Sequence, residues 1–498
     1  MKTEMMFLLL LGLLAGKPAL AQNRIQPVRG TFLVMAYQDE RNKYMYPQGF
    51  DNTDPAMWKA KVRELHKMGM EYLIFQQIAN DGKAFYPSKI MARDYPPDRQ
   101  SPVDAVMEEA GTLGMKVFMS IGWAKDQLDD LGKPETRSRY MEILTELAGI
   151  YGKDKALYGW YLPVEACIGP VLPDFAVKAV NEFVDKAQSL TPGKKTMISP
   201  FGIFWSDFND KRYEAAISGL KVDIIAYQDE VGCVREPLPI PRLRESWKKL
   251  REIHDRNGIA MWANCESFTW EKGTNNWYSA LIPAAFPRFL SQLAMASETP
   301  VDMIISFNML GIYDDPRSKY SLGQPYWSGK AFNDYMAWMK GDKYWNLCSD
   351  AFMHRLLNKA DPSMGQGRQK ALLDGKLAQE DTSDANWVKF DPGRHEVIID
   401  MKKESAVREV FIRALDYHLL NIGMPVKIYL YTSADARNYR LSAIKDGPAF
   451  PNDKHDAWIE GIHFSKLNIK TRYLKVAFSC IQPAYLDEIF INPEKKRG

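Results

Sequence analysis

The chain has 498 residues, of which 46% are hydrophobic and 26% are charged, so its composition is that of a globular protein and not of a disordered one. The 65 Lys and Arg residues nearly balance the 62 Asp and Glu residues, which leaves a formal charge of +3. With no long basic run either, the sequence gives no indication of a nucleic-acid partner. The length allows two or three domains.

The N-terminus has the pattern of an export signal. Lys2 is followed by the apolar run 5–15 and then by Ala19-Leu20-Ala21, which is a small-x-small cleavage site. The run is too short to cross the ~30 Å of hydrocarbon that a membrane helix spans. We therefore expect a signal peptide over residues 1–21, cleavage before Gln22, no stable membrane insertion afterwards, and a periplasmic or extracellular location.

Apolar runs then alternate with amphipathic segments from Gly30 to Tyr344. Asp54-Pro55 and Ser101-Pro102 are typical helix starts, and Gly69 and Gly114 are typical helix ends. The predicted strands are 31–37, 71–78, 115–121, 156–162, 195–201, 222–228, 259–263 and 301–307. The predicted helices are 55–68, 102–113, 134–151, 173–190, a short one before strand six, 241–256, 283–297 and 327–344.

Eight strand–helix units predict an α/β fold of the (β/α)8 TIM-barrel type over residues 22–345. The alternative, a doubly wound open sheet, is less favoured because the sequence has no Gly-rich phosphate loop.

The pattern changes near Trp345, and the polar stretch 359–366 reads as a linker or first loop. Short alternating runs bounded by turns follow at 396–401, 407–413, 426–432, 458–464, 473–478 and 486–491. This spacing predicts an all-β sandwich as a second domain over residues 346–498.

Two carboxylates come at the ends of predicted barrel strands. Glu165 follows the apolar run Leu157–Leu162 and a proline, and Glu266 follows strand seven. An ionised glutamate is costly to bury, and the carboxyl ends of barrel strands carry the active site of such enzymes. Either residue could instead be a helix N-terminal acid or an ion-pair partner. Asp229, after strand six, is a rival for the second carboxylate.

Several short motifs resemble those of a known family, namely Gly30-Thr31-Phe32, residues 69–77, Gly159 to Leu162 leading to Glu165, and Tyr227-Gln228-Asp229. In their order along the chain they resemble the glycoside-hydrolase-like barrels of secreted Bacteroidetes proteins. Such barrels are similar in layout to the clan of retaining glycosidases with catalytic carboxylates on strands four and seven. The resemblance implies Glu165 as acid/base and Glu266 as nucleophile, with the two carboxyl groups ~5–5.5 Å apart. Val164 stands where that clan usually has a sugar-binding Asn.

The second domain resembles a discoidin-like (coagulation factor 5/8 type C) sandwich, which implies a jelly-roll-like fold and a possible carbohydrate-binding role. The segments that carry this resemblance are Leu372–Gly375, Trp387, 426–433, 473–475 and 486–489.

Aromatic and amide side chains gather at the same predicted strand ends. Rings can stack on the apolar faces of sugars, and buried amides need partners that sugar hydroxyls would supply. Alternatively, each of these side chains could pack inside the barrel without contacting a ligand. The aromatic candidates are Tyr37, Trp123, Tyr161, Trp205, Trp262, Trp270 and Trp277, and the amide candidates are Gln76, Gln77, Gln228, Asn264 and Asn308.

The five cysteines are too few and too scattered for a disulfide framework. Cys167, Cys233 and Cys265 follow strands four, six and seven, but no His stands at ligand spacing beside them. We therefore expect buried packing for these thiols, with no metal and no cofactor.

The sequence leaves two functions open. The first is an exported glycoside hydrolase that acts on a poly- or oligosaccharide by retaining double displacement. The second is a non-catalytic carbohydrate-binding protein built on an inactive barrel, which Val164 would favour. A glycan is the expected partner in either case.

Overall fold

The computed structural model describes residues 25–36, 41–45, 51–125, 130–163, 165–233, 240–272, 279–299, 301–340, 353–356, 368–379, 381–448 and 457–492. The predicted signal peptide and the stretch 357–367, which contains the predicted linker, lie outside these residues.

Eight parallel strands close into a barrel in chain order, with the first strand paired to both the second and the eighth. The strands are β1 Gly30–Leu33, β2 Tyr72–Phe75, β3 Lys116–Ser120, β4 Leu157–Tyr161, β5 Lys195–Ile198, β6 Ile224–Gln228, β7 Ala260–Glu266 and β8 Met303–Phe307. Gly30 lies at this closure, where a Cβ atom would come within 2.8 Å of Ile305 and 3.0 Å of Tyr72.

Helices follow the strands and pack around the barrel. They are α1 Pro55–Lys67, α2 Pro102–Leu113, α3 Pro134–Tyr151, α4 Asp174–Leu190, α5 Lys211–Ser218, α6 Ile240–Asn257, α7 Phe286–Glu298 and α8 Trp327–Met339. The predicted helix starts are confirmed, because Asp54 accepts a hydrogen bond from the Ala56 amide and Ser101 accepts one from the Asp104 amide. Gly114 ends α2 with a φ of +71°.

The lower interior of the barrel is filled by aromatic side chains. Trp262 makes edge-to-face contacts with Tyr72 and Phe118, at ring-centre distances of 5.4 and 5.9 Å. Phe32 and Tyr161 continue this packing towards the carboxyl ends of the strands. The middle of the barrel is therefore a packed core of side chains and not an open channel.

The structure corrects two predicted boundaries near the mouth. Strand β7 extends to Glu266, three residues beyond the predicted end, so that Glu266 is the last residue of a strand. Helix α7 begins at Phe286 and not at Pro283, because Leu281–Pro283 pairs with Phe268–Trp270 in an antiparallel hairpin. The sequence analysis missed this hairpin, which covers one side of the mouth.

The C-terminal part forms two antiparallel sheets, which agrees with the predicted all-β sandwich. Their strands are β9 Met353–Leu356, β10 Val388–Phe390, β11 Gly393–Val407, β12 Val410–Asp416, β13 Lys427–Ser433, β14 Arg440–Asp446, β15 Trp458–Phe464, β16 Ile469–Cys480 and β17 Ala484–Ile491. One sheet has the order β9-β11-β16-β13-β14 and the other has the order β10-β17-β12-β15. Their inner faces share one apolar core. In the described part of the chain, no helix is long and apolar enough to span a membrane.

Candidate active site

Glu165 and Glu266 line the same cavity at the carboxyl ends of the barrel strands. The cavity has about 600 Å³ of empty space, part of which is open to solvent. Three amides (Gln76, Gln228 and Asn264) and several aromatic rings complete its wall. Two residues that are 101 positions apart in the chain therefore face one opening.

Glu165 lies just beyond the end of β4 and is half-buried. The side-chain amide of Gln228 donates to Glu165 Oε1 at 3.0 Å and to the Ser199 carbonyl oxygen at 2.9 Å. Burial raises the pKa of the neighbouring Tyr161 well above its ordinary value, and the negative charge of Glu165 adds to that rise. Tyr161 is therefore a neutral hydrogen-bonding group beside this carboxylate.

Glu266 is more deeply buried than Glu165, and only 4% of its surface is exposed. The Cys233 backbone N–H donates to Glu266 Oε2 at 2.5 Å. The loop that carries this amide is anchored by Trp270, whose indole N–H donates to the Cys233 carbonyl oxygen at 3.1 Å. The backbone donor therefore fixes the position of this carboxyl group.

Asp229 does not line the cavity, which removes the geometric basis for its role as the second carboxylate. It is 1% exposed, and its Oδ2 accepts a hydrogen bond from Gln292 at 2.6 Å. Its Oδ1 accepts from the backbone N–H of Glu266 at 3.1 Å. Burial raises the pKa of Asp229, while the hydrogen bond from Gln292 lowers it. The side chain thus supports the end of β7 from behind.

The predicted amides divide into two groups. Gln76 and Asn264 line the cavity, and each has a buried side-chain oxygen without a hydrogen-bond partner among the described residues. Gln77 and Asn308 do not line it, and their NH₂ groups donate to the carbonyl oxygens of Ala36 and Leu310. Their buried side-chain oxygens also have no hydrogen-bond partner among the described residues. The expectation that all of these amides face a substrate is therefore corrected for Gln77 and Asn308.

The predicted aromatic residues are also divided. Tyr161 and Trp270 line the cavity. Trp262 is a correction, since β7 continues past it and its ring packs in the barrel interior. Trp123 is buried outside the cavity lining, and Trp205 is exposed and lies outside it as well. Three residues named from the sequence, Tyr37, Val164 and Trp277, lie outside the described residues.

Other lining residues were not predicted as part of the site. They are Phe32, Arg41, Ser199, Cys233, Phe268, Leu281 and Phe307. Phe268 and Leu281 belong to the hairpin, for which no turn signal was recognised. The proximity of Cys233 to a candidate acid was the one usable sequence signal among them. The described residues contain no group of three or more His, Cys, Asp or Glu side chains that could hold a metal ion.

Comparisons with known proteins agree with this barrel. The family described as "Domain of unknown function (DUF4434)" matches residues 28–320. A solved structure of a "putative alpha-L-fucosidase" from Bacteroides thetaiotaomicron is 20% identical, with a TM-score of 0.51, over 66% of this chain and 99% of that chain. At this identity, the likeness shows a shared fold only. No curated protein matches the chain.

A second solved structure, again of a "putative alpha-L-fucosidase" from Bacteroides thetaiotaomicron, is 11% identical over 94% of this chain and 95% of that chain, with a TM-score of 0.37. The structure of a pectin-binding carbohydrate-binding module is 16% identical over 29% of this chain and 93% of that chain, with a TM-score of 0.22. Neither score supports an argument from shape.

Proposed function

The chain belongs to the DUF4434 family, and we propose that this member is an exported glycoside hydrolase that acts on a poly- or oligosaccharide. The observation that carries the proposal is that Glu165 and Glu266, from β4 and β7, line one cavity together with amides and rings. Glycoside hydrolysis requires two carboxyl groups on either side of the scissile bond. The barrel fold shared with the fucosidase-like structure supports the same conclusion.

In this mechanism Glu266 is the nucleophile. The Cys233 amide holds one of its oxygens in place. Attack on the anomeric carbon forms a glycosyl–enzyme ester as the glycosidic C–O bond breaks. The leaving oxygen takes a proton from Glu165, whose position is set by Gln228. Glu165 then removes a proton from water, which hydrolyses the ester, so that the anomeric configuration is retained.

Two unpaired amide oxygens in the cavity wall support a sugar as the substrate. Buried polar atoms without partners are costly, and the oxygens of Gln76 and Asn264 lie in the cavity wall. Sugar hydroxyl groups would donate to them, while the rings of Tyr161 and Trp270 offer apolar faces to sugar C–H groups.

The first experiment is a screen of aryl glycosides and polysaccharides, with α-L-fucosides included because of the described fucosidase-like relative. On the substrate found, Glu165→Gln and Glu266→Gln should each lower kcat by about 10³-fold or more, with unchanged circular dichroism. Glu182→Gln on α4, outside the cavity, is the matched control and should keep full activity. Sugar binding without any turnover in the unmodified chain would instead identify a non-catalytic binding protein.

The roles of the two acids can be separated by azide rescue. In Glu266→Ala, azide should enter from the opposite face and give a glycosyl azide of inverted configuration. In Glu165→Ala, azide should attack the glycosyl–enzyme ester and give the retained configuration. An inverted first product from the unmodified enzyme, detected by NMR, would contradict the retaining mechanism.

We extend the proposal to the rest of the chain. Residues 1–21 would be removed on export to the periplasm or the medium, which N-terminal sequencing of the mature protein can test. The C-terminal sheets would form a discoidin-like domain that binds carbohydrate. A Glu165→Gln/Glu266→Gln double variant can be compared with and without residues 346–498. The difference in affinity for the substrate glycan would measure how much the C-terminal domain contributes to binding.

A further inference from the structure

A second cavity opens at the opposite end of the barrel, where the strands begin. It has about 860 Å³ of empty space, part of it open to solvent. Four of its lining residues are lysines (Lys116, Lys155, Lys194 and Lys195), and none of them is acidic. Over the whole chain acidic and basic residues are almost equal in number, so this concentration of one charge is a local feature.

Three of the four ammonium groups are held in place by neighbours. Lys116 Nζ donates to the Tyr72 hydroxyl at 3.0 Å and lies 5.1 Å from the ring centre of Tyr158. Lys194 donates to the Leu157 carbonyl oxygen, and Lys195 pairs with Asp223 at 2.8 Å. The cavity wall therefore has fixed donors before any ligand arrives, which lowers the entropic cost of binding.

The net charge around the cavity remains positive after the neighbouring acids are counted. Asp223 compensates Lys195, and Glu71, close to Lys116, is itself paired with Arg29 at 2.5 Å. Within the described residues the Lys155 ammonium has no hydrogen bond and no ion pair, and its side chain runs along Gly111, where a Cβ atom would come within 2.9 Å of it. Like charges gathered around one concave site attract anions and raise their local concentration.

We propose that this cavity binds an acidic oligosaccharide through its carboxylate or sulfate groups, apart from the catalytic cavity. A single small anion would engage only part of a cavity whose ammonium groups come from three separate loops. A nucleic acid would require a basic stripe along the surface, whereas these four charges gather around one concave site. The choice of a saccharide rests on the proposed function, because a polysaccharide-degrading enzyme gains effective concentration from a second site on the same chain.

The test uses the full mature chain with Glu165→Gln, so that no probe is hydrolysed. Binding of a heparin-derived tetrasaccharide, a tetragalacturonate and neutral maltotetraose is measured by calorimetry at low salt. We expect one of the two acidic probes to bind, with a preference that identifies sulfate or carboxylate, and the neutral probe not to bind. Lys155→Glu should weaken that binding by about tenfold, since a repulsive charge replaces an attractive one.

The matched control is Lys153→Glu, an identical change of charge two residues away on an exposed side chain that does not line the cavity. It should change the affinity less than about twofold. Equal weakening by both variants would show diffuse attraction and overturn the proposal. So would the absence of binding by both acidic probes, free sulfate binding as tightly as the tetrasaccharides, or tighter binding of a short single-stranded DNA. None of these outcomes depends on whether Glu165 is catalytic, because the readout is binding at the other end of the barrel.

Discussion

The amide nitrogen of Gln228 lies 3.0 Å from Oε1 of Glu165 and thereby joins the last residue of β6 to the acid that follows β4. The same nitrogen donates to the Ser199 carbonyl oxygen, so the amide is fixed from both sides. A half-buried acid on an irregular loop thus takes its orientation from a residue of the barrel itself.

Gln228→Leu should lower kcat/KM by roughly 10- to 100-fold, because a hydrogen bond to a charged group contributes about 1.5–3 kcal/mol. The thermal unfolding temperature should change little. Gln100→Leu removes a similar amide–carboxylate bond, to Glu108 at 2.7 Å, on the exposed surface, and should leave kcat/KM unchanged. Full activity of Gln228→Leu would show that Glu165 needs no such support.

Gly232→Ala should displace Glu266 without altering its chemistry. A Cβ atom at Gly232 would lie 2.6 Å from the Phe268 carbonyl oxygen and 2.9 Å from Glu266 Cβ. Because misplacement of a catalytic group by about 1 Å can cost up to ~100-fold in rate, we expect kcat to fall by roughly 10- to 100-fold. Gly149→Ala is the control, since no atom apart from its chain neighbours and the backbone of its own helix, α3, lies within 4 Å of the Cβ position. It should retain the activity and raise the unfolding temperature slightly.

Lys61→Met should destabilise the barrel strongly. Lys61 is 1% exposed, and its Nζ lies 2.7 Å from Asp314 Oδ2, which connects α1 to the segment after β8. Burial raises the pKa of Asp314 to about 6, although the charge of Lys61 lowers it. Loss of the lysine leaves a buried carboxylate unpaired, at a cost of about 3–5 kcal/mol measured by urea denaturation.

Two further variants define this effect. Lys59→Met breaks a more exposed pair with Glu108 and should cost less than about 1 kcal/mol. Adding Asp314→Asn to Lys61→Met should recover part of the lost stability, because the second change removes the unpaired charge. No difference between Lys61→Met and Lys59→Met would contradict the assignment of a buried ion pair.

The stability of the C-terminal sheets should fall as the pH rises from about 5 to 8. Burial raises the pKa of Glu460, on β15, from 4.5 to about 7, against the opposing effects of the Gly461 amide and the Lys330 charge. Burial likewise raises the pKa of Glu488 to about 8. A raised pKa means that the folded state holds a proton that the unfolded state has released. The stabilisation by these two protonated carboxyl groups is therefore complete below about pH 4.5 and is lost as the pH rises through 7.

Calorimetric unfolding temperatures between pH 5 and 8 test this dependence. Glu460→Gln should flatten the decline, because the amide is neutral throughout. Glu404→Gln changes an exposed acid on β11 and should leave the slope as it is. A slope that is the same in all three proteins would exclude Glu460 as a source of the pH dependence.

The sequence predicted the strand–helix alternation because each signal is local. Apolar runs, helix caps such as Asp54 and Ser101, and the position of Glu165 after a proline can be read without knowing any neighbour. For the same reason the alternating runs of the C-terminal part correctly indicated antiparallel sheets.

Only the tertiary structure distinguished Glu266 from Asp229. Both stand at the carboxyl end of an apolar strand, but side chains alternate between the two faces of a strand. The register of β7 against β6, in which Asn264 pairs with Gln228, places Glu266 in the cavity and Asp229 behind it. Because β7 is longer than predicted, Trp262 lies in the barrel interior and not at the mouth. The pairing of Phe268–Trp270 with Leu281–Pro283 lies within one connection, but no turn signal was recognised there. The four-lysine cavity joins residues from separate loops, and no local pattern encodes that proximity. Local chemistry thus determined which residues could act, and strand register and burial decided which of them face the same opening.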